Sequence, residues 1–393
     1  MKKEKMLLFL TLCLCFAAGC GEGAGKEREP DGVPGTQNSD SPGSGSEAGR
    51  TESDPAGNGP FGEPVPGQPS GAGSFLPEGS KVTAEPAEPS PAELLKAEYS
   101  AYPFGRYIFP EDERQAEQNL NTINLYYLCE MPDGSVYYSD PADGRLYHSS
   151  ADGRGRTQVS EGPMESLQAR GDTLYCRDSE SRILYRYTPA DGFEQLFEGA
   201  GCYAAAEQGI YYCGFGGVYW YSFESGSSEK LIDTGKYDPI WLTVSGTALV
   251  YQLTDPDDLS FLQNGLVFCH TLEDGKTWFL TERVWRAVLQ GKTLVFQNYD
   301  TGRIALLDME TGERTQTPLN SESARFTGGT LYGLHEGSLY SWNAEEQLEA
   351  ALWKAEGHPL YCYFTSRYVY LYTADKRILF YDMETGNDGV WKE

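Results

Sequence analysis

The side chains that could do chemistry in this sequence are plentiful but poorly grouped. Of 393 residues, 58 are Asp or Glu, and a pair of carboxylates is what acid–base cleavage of a glycosidic bond requires. Most of these acids fall in turn sequences such as LDMETGE at Leu307 to Glu313 and YDMETGN at Tyr381 to Asn387. There an Asp side chain serves the hydrogen bonding of its own bend. The densest acidic run, Asp255, Asp257 and Asp258, offers oxygen ligands but lacks the spaced pattern of a dedicated calcium loop, so a solvated loop is expected. The four His (148, 270, 335 and 358) are scattered, and Cys129, Cys176, Cys202, Cys213, Cys269 and Cys362 show no CxxC spacing. No metal site is expected. Cys202 and Cys213 flank Glu207-Gln208 symmetrically, which would oppose them across a hairpin; a disulfide and a pair of buried thiols are both open readings. No Ser-His-Asp grouping, phosphate loop or dinucleotide fingerprint occurs, so no cofactor is expected. What remains is a set of aromatic and Arg residues on or just before apolar strands: Tyr203, Trp241, Trp285, Phe326, Tyr361, Tyr363, Arg283, Arg286 and Arg325. Such residues stack sugars or grip peptides where they reach a surface, and fill a core where they do not.

The elements that must position them repeat. Aligned on the turn before each apolar strand, the starts fall at Gly134, Gly171, Gln208, Ser245, Gly291, Gly328 and Ser366, at intervals of 37, 37, 37, 46, 37 and 38. The duplicated DMETG turn lies two periods apart, with Asp308 and Asp382 separated by 74 residues. Each period has a first strand before the start, as in Glu165 to Arg170, Ile240 to Val244 or Leu360 to Thr365. A second strand follows (SVYYSD, TLYCRD, TLVFQN), then a third (GRLYHS, RILYRY, RIALLD) and a weaker fourth (EQLFEG, EKLIDT). Short runs rich in Tyr, Val, Ile, Leu and Phe, bounded by Gly, Asp, Asn and Ser, signal strands. Four antiparallel strands every 37 residues or so describe a β-propeller blade. The expectation is an all-β propeller of seven blades, six if an end segment pairs otherwise. The fourth period carries about nine extra residues around Thr254 to Asp258, in a loop on the face where propellers of this kind usually bind ligands.

Two stretches resemble known repeats. VYYSD (Val136 to Asp140) and GRLYHSSADGRGR (Gly144 to Arg156) look like the YWTD repeat of low-density-lipoprotein-receptor-type propellers, and the resemblance extends as a repeat over residues 124 to 393. Only the first period approaches the full pattern. GRIALLDMETGE resembles the quinoprotein and outer-membrane-scaffold type of propeller. Thr271 to Trp278 (TLEDGKTW) resembles the Asp-box of sialidases, in which the box is a structural turn remote from the chemistry. These likenesses imply a fold and carry no catalytic residue.

The N-terminal quarter reads differently. Residues 1–19 have a Lys-rich start and an apolar run too short to span a bilayer, as a signal peptide does, and Ala17-Ala18-Gly19-Cys20 resembles the lipobox of bacterial lipoproteins. The resemblance implies lipid attachment, palmitate included, at Cys20, and residence on the outer face of the cell membrane. Residues 20–92, rich in Gly, Pro, Ser and acid, cannot bury enough surface to order themselves, and read as a disordered spacer reaching about 45 Å. Residues 93–120 read as a short helical or decorating segment. Ser90-Pro-Ala-Glu93 has the form of a capping box, Pro110 to Leu120 is a second weak helical run, and Arg106 to Phe109 is a candidate closure strand. The propeller then occupies 121–393. The formal charge of −27 becomes −29 without residues 1–19, which excludes electrostatic attraction to nucleic acid.

These observations favour a monomeric, lipid-anchored, extracytoplasmic propeller that binds a protein, peptide or glycan at one face. The candidate binding residues are Asp255, Asp257, Asp258, Tyr203, Trp241, Trp285, Arg286, Arg325, Tyr361 and Tyr363. The alternatives are a carbohydrate-active enzyme, hydrolase or lyase, with carboxylates at a central pocket, and an envelope assembly scaffold.

Overall fold

The computed structural model describes residues 89–99, 104–109, 127–254, 265–321 and 323–392. The expected signal peptide, Cys20, most of the expected spacer, Pro110 to Leu120 and the Asp255 to Asp258 run lie outside the described residues. Glu88 to Glu393 form one compact unit. Among the described residues one helix, α1 (Pro91–Glu98), precedes 27 strands. The strands make one seven-stranded sheet and five of four strands, each sheet pairing neighbours in chain order.

The seven-stranded sheet is two repeats joined by one long strand, Thr157–Arg170. Its first half pairs with Arg145–Ser150 and its second half with Thr173–Asp178, so it closes the first repeat and opens the next. The sequence shows a break here, at Glu161-Gly162-Pro163. The strand runs on because Met164, not Pro163, makes the bond to the third strand, its N–H donating to Gly144 O at 2.9 Å. All other repeats have four strands of their own, beginning at Tyr203–Ala205, Asp238–Ser245, Val284–Gln290, Ala324–Thr327 and Pro359–Phe364. This nearly all-β architecture of four-stranded antiparallel sheets is consistent with a β-propeller.

Apolar side chains on both faces of each sheet are what hold the repeats together. Leu249 and Tyr251 of the fourth repeat pack with Cys213 and Val218 of the third. Their strand neighbours Ala248 and Val250 point the other way, onto Leu294 and Phe296 of the fifth. The last repeat packs on the first in the same manner, with Tyr363, Tyr370, Tyr372 and Ile378 against Leu128, Val136 and Tyr138. That seam shares no strand among the described residues. Side chains make it: Tyr372 Oη donates to Ser139 O at 3.0 Å and Tyr370 Oη to Ala151 O at 2.6 Å. Ser366 donates through N and Oγ to the Glu130 carboxylate at 2.6 and 2.7 Å.

The duplicated turn is one device used twice. The Asp308 carboxylate accepts from the N–H groups of Glu310 and Thr311, both at 2.8 Å, and Asp382 repeats this with Glu384 and Thr385 at 3.0 and 3.4 Å. Each Asp thereby bridges the third and fourth strands with bonds a bare loop would leave unmade. Asp382 is also gripped by Arg367 at 2.6 Å, and that ion pair holds its carboxyl well below the usual carboxylate range.

Upstream of the sheets, α1 is capped by a reciprocal box in which Ser90 N donates to Glu93 Oε2 at 2.7 Å and Glu93 N donates to Ser90 Oγ at 3.3 Å. It buries Ala92 and Leu95 against the third and fourth repeats, and Lys96 pairs with Glu282 at 2.7 Å. Residues 104–109 form no strand, so Arg106 to Phe109 is not a closure strand. They lie as a strap across the fourth and fifth repeats. Tyr107 fills the space between them, and Ile108 exchanges bonds with Thr247 at 3.1 Å in both directions, one to the backbone and one to Thr247 Oγ1. A strand would need a free sheet edge, whereas this segment meets a hairpin end.

Candidate binding face

In every repeat the second-to-third-strand loop and the link to the following repeat emerge at the end where the first strand begins. There each repeat places one residue in register with its second strand. They are Tyr127, Glu165, Cys202, Trp241, Arg286, Ser323 and Tyr361, opposite Ser139, Arg177, Cys213, Gln252, Gln297, Leu334 and Tyr372. The positions converge. The Tyr127 and Tyr361 rings stand 6.5 Å apart, and Tyr127 feels the charges of Glu165, Arg177 and, from the fifth repeat, Arg286. Burial, then the Glu165 charge, raises the Tyr127 phenol far above its ordinary value, so it stays a neutral hydroxyl.

Glu165 is the one carboxylate among these seven, and it is committed. Arg177, 4% exposed, binds it through Nη2 at 2.6 Å and Nε at 3.1 Å, and spends Nη1 on the carbonyls of Ala200 and Gly201 at 2.7 and 2.5 Å. Both bonds fall on Glu165 Oε1, so the pair fixes the geometry of the carboxylate through one oxygen.

Around this layer the first strands bulge. Register shifts fall between Pro239 and Trp241, Val284 and Arg286, and Pro359 and Tyr361. The extra residue at each is large and apolar: Ile240 (41% exposed), Trp285 and Leu360 (48% exposed). A bulge breaks the in–out alternation and turns a side chain that should pack inward toward solvent. Trp285 rests on Tyr299 with ring centroids 5.4 Å apart. Phe215, in the second-to-third-strand loop of the third repeat, is 83% exposed, and its loop is tied to the fourth repeat by Gly216 N donating to Asp238 Oδ1 at 3.2 Å.

The residues singled out from sequence divide accordingly. Trp241, Trp285, Arg286 and Tyr361 stand half-buried at this end. Tyr203 and Tyr363 are core, 2% and 0% exposed, and Tyr203 Oη donates to Ser166 O. Arg325 is buried as well and donates through Nη1 to Thr365 O at 3.0 Å, tying the sixth repeat to the seventh. None of these three presents itself to a ligand, because alternate positions of a first strand must fill the space between sheets. Cys202 and Cys213 do oppose each other, with Cys213 N donating to Cys202 O at 2.8 Å, and both thiols are free. Desolvation raises both, so they are protonated and unreactive. Among the described residues no three of His, Cys, Asp and Glu gather as a metal site. The TLEDGKTW segment is a turn between third and fourth strands, with Thr271 N donating to Lys276 O at 2.9 Å and Trp278 buried under it. Sequence reasoning did not single out Glu165, Arg177, Tyr127, Phe215, Ile240 or Leu360. The signal for Ile240 and Leu360 was a large apolar residue one place off the strand alternation, and for Phe215 a large apolar residue in a two-residue loop.

No family model matches the sequence, and no curated protein does. Among solved structures, puromycin hydrolase is similar at 14% identity with a TM-score of 0.50, over 75% of this chain and 57% of that one. The chain thus spans little more than half of that protein. Virginiamycin B lyase from Staphylococcus aureus matches at 14% identity and a TM-score of 0.48, over 66% of this chain and 97% of the lyase. BamB from Moraxella catarrhalis matches at 12% and 0.44, over 65% and 83%. These neighbours are propeller-like proteins of varied function. The likeness shows the fold alone.

Proposed function

We propose that the chain is a YWTD-like lipoprotein in which seven four-stranded blades close into one ring, and that it acts as a binding module for a protein, peptide or glycan. Closure is supported by the packing of the last repeat on the first. The binding reading is carried by one observation: half-buried aromatic and Arg side chains stand at the same end of the first strands as the Glu165 carboxylate, which is bound by Arg177. Recognition uses such a surface as it stands. A glycoside hydrolase would need a second carboxylate about 5 to 10 Å from the first, and the six other positions of the layer hold none. Lipid on Cys20 and the spacer over 20–92 would hold this face away from the outer side of a membrane.

The binding reading is tested by presenting the purified full chain to a glycan array and to a random peptide library, with Trp285→Ala and Tyr361→Ala as variants. Binding lost in the variants supports it; turnover of a polysaccharide with no retained ligand refutes it. Anchoring is tested separately. Labelled palmitate should enter the wild type and not Cys20→Ser, and the variant should leave the membrane fraction.

A further inference from the structure

The bulged residues Ile240, Trp285 and Leu360 form the rim of the layer, and three neighbouring members of the layer itself carry polar groups that the fold leaves unused. A continuous chain of bonds sets Tyr361, Tyr127 and Glu165 side by side. Tyr361 is in register with Tyr372, whose Oη donates to Tyr127 O at 3.2 Å. Ser139 N donates to the same carbonyl at 2.8 Å, and Ser139 Oγ donates to Met164 O at 2.5 Å, one residue before Glu165. The seventh, first and second repeats are thereby tied together where these three side chains leave the backbone.

Each of the three has a polar end without an internal partner. Arg177 occupies Glu165 Oε1 only, while Oε2 makes no hydrogen bond among the described residues and is not sealed from solvent. Tyr127 Oη and Tyr361 Oη are likewise unbonded and unsealed, whereas Tyr363 Oη, two residues further along the strand, is unbonded and sealed. The Tyr127 and Tyr361 rings are both half-buried, 6.5 Å apart with 55° between their planes. The open groups are therefore one oxygen that only accepts and two hydroxyls that both donate and accept. Charge of either sign is unwelcome beside them. The Arg177 and Arg286 guanidiniums that act on the Tyr127 phenol oppose a cation, and the open oxygen of Glu165 opposes an anion.

We infer that Tyr127, Glu165 and Tyr361 form a subsite for a neutral sugar ring of a glycan, with a sugar hydroxyl donating to Glu165 Oε2, others exchanging bonds with the two phenols, and an apolar C–H face laid on the tyrosine rings. The inference rests on the binding reading and narrows it to one class of ligand. A sugar is uncharged, its hydroxyls each donate and accept, and its faces are apolar, which matches these groups one for one. Three groups on adjacent repeats suit a compact ring, whereas an extended peptide presents its donors along a line. With one carboxylate in the layer, the subsite holds the sugar without cleaving it.

The test probes an array of neutral, acidic and amino oligosaccharides with the labelled full chain and remeasures those retained by calorimetry. The expected result is retention of neutral oligosaccharides, with an affinity that does not move as salt is raised. Tyr127→Phe removes an oxygen that has no intramolecular partner, so it should keep the urea stability of the wild type and weaken the sugar about fivefold. Glu165→Gln keeps an oxygen for Arg177 and turns an amide N–H toward the ligand's own donor, so it should weaken the sugar about tenfold or more. Should that variant fail to fold, Tyr127→Phe decides alone. Neutral sugars bound equally well by Tyr127→Phe, or retention of acidic or amino sugars only, would overturn the inference. A peptide ligand with no glycan retained would overturn it while leaving the binding reading standing, and a chain that retains neither would remove both.

Discussion

Two turn glycines with nearly the same backbone separate the contribution of the strap from that of the sheet. Gly246 (φ +55°) and Gly291 (φ +57°) occupy the same turn in the fourth and fifth repeats. A Cβ at Gly291 meets nothing within 4 Å, whereas one at Gly246 would lie 1.8 Å from the carbonyl oxygen of Ile108 and 3.0 Å from Phe109 Cα. Gly291→Ala should therefore cost only the left-handed conformation, about 1 to 2 kcal/mol. Gly246→Ala should cost the same and also expel the strap. Expulsion uncovers Tyr107, 7% exposed in the native state, worth about 2 to 3 kcal/mol. It also breaks the two bonds between Ile108 and Thr247, worth about 1 kcal/mol each. The difference between the variants is thus about 4 kcal/mol, readable by urea unfolding followed through tryptophan fluorescence. A second readout is independent of stability: trypsin should cut after Arg106 quickly in Gly246→Ala and slowly in Gly291→Ala and the wild type. Equal losses of stability with unchanged cleavage would refute the idea that 104–109 is held by this contact.

Removing Glu165 should leave Arg177 buried without its anion, so Glu165→Ala should destabilise by about 3 kcal/mol, while the apolar double variant Glu165→Leu with Arg177→Met should recover most of that loss in the same urea assay. Iodoacetamide at pH 8 should leave Cys129, Cys176, Cys202, Cys213, Cys269 and Cys362 unlabelled until urea is added, as peptide mapping by mass spectrometry will show, because all are buried or half-buried and free. Arg367 depresses the Asp382 carboxyl below its unfolded value, so the stability it contributes is complete above about pH 4 and is lost as pH falls through the depressed value. Asp382→Asn should accordingly be less stable than wild type at pH 7, with the gap narrowing in acid; a gap constant from pH 7 to pH 2 would refute the ion pair.

The repeat was legible because sheet packing demands the same residue type at the same place each time. Leu174, Ile210, Leu249, Leu294, Leu331 and Val369 all take the equivalent buried place on their second strands, each 0% exposed. The Asp308 and Asp382 turns were legible for a similar reason, since the bond they make is local. The rim was harder to read. Counting in twos from the hairpin at Ser366 points Tyr363 and Tyr361 to the same side, yet Tyr363 is wholly buried and Tyr361 is not. Beyond the bulge, parity no longer says which way Leu360 turns, and the same failure hides Ile240 and Trp285. The partnership of Arg177 with Glu165 was equally silent. The two are 12 residues apart and meet because the strands carrying them pair across a register shift.

The seam between the final and opening repeats sets the order in which the chain can be completed. Tyr372 reaches the Tyr127 carbonyl across 245 residues of sequence, whereas the other contacts between sheets join repeats that follow one another. A ribosome therefore releases the opening sheet with Leu128, Val136 and Tyr138 uncovered, and the repeat that begins at Pro359 supplies their lid only after the intervening repeats have been made. Removal of the repeat that begins at Pro359 would leave that oily flank open to solvent and to neighbouring chains, so newly made copies depend on whatever shields them until that repeat emerges.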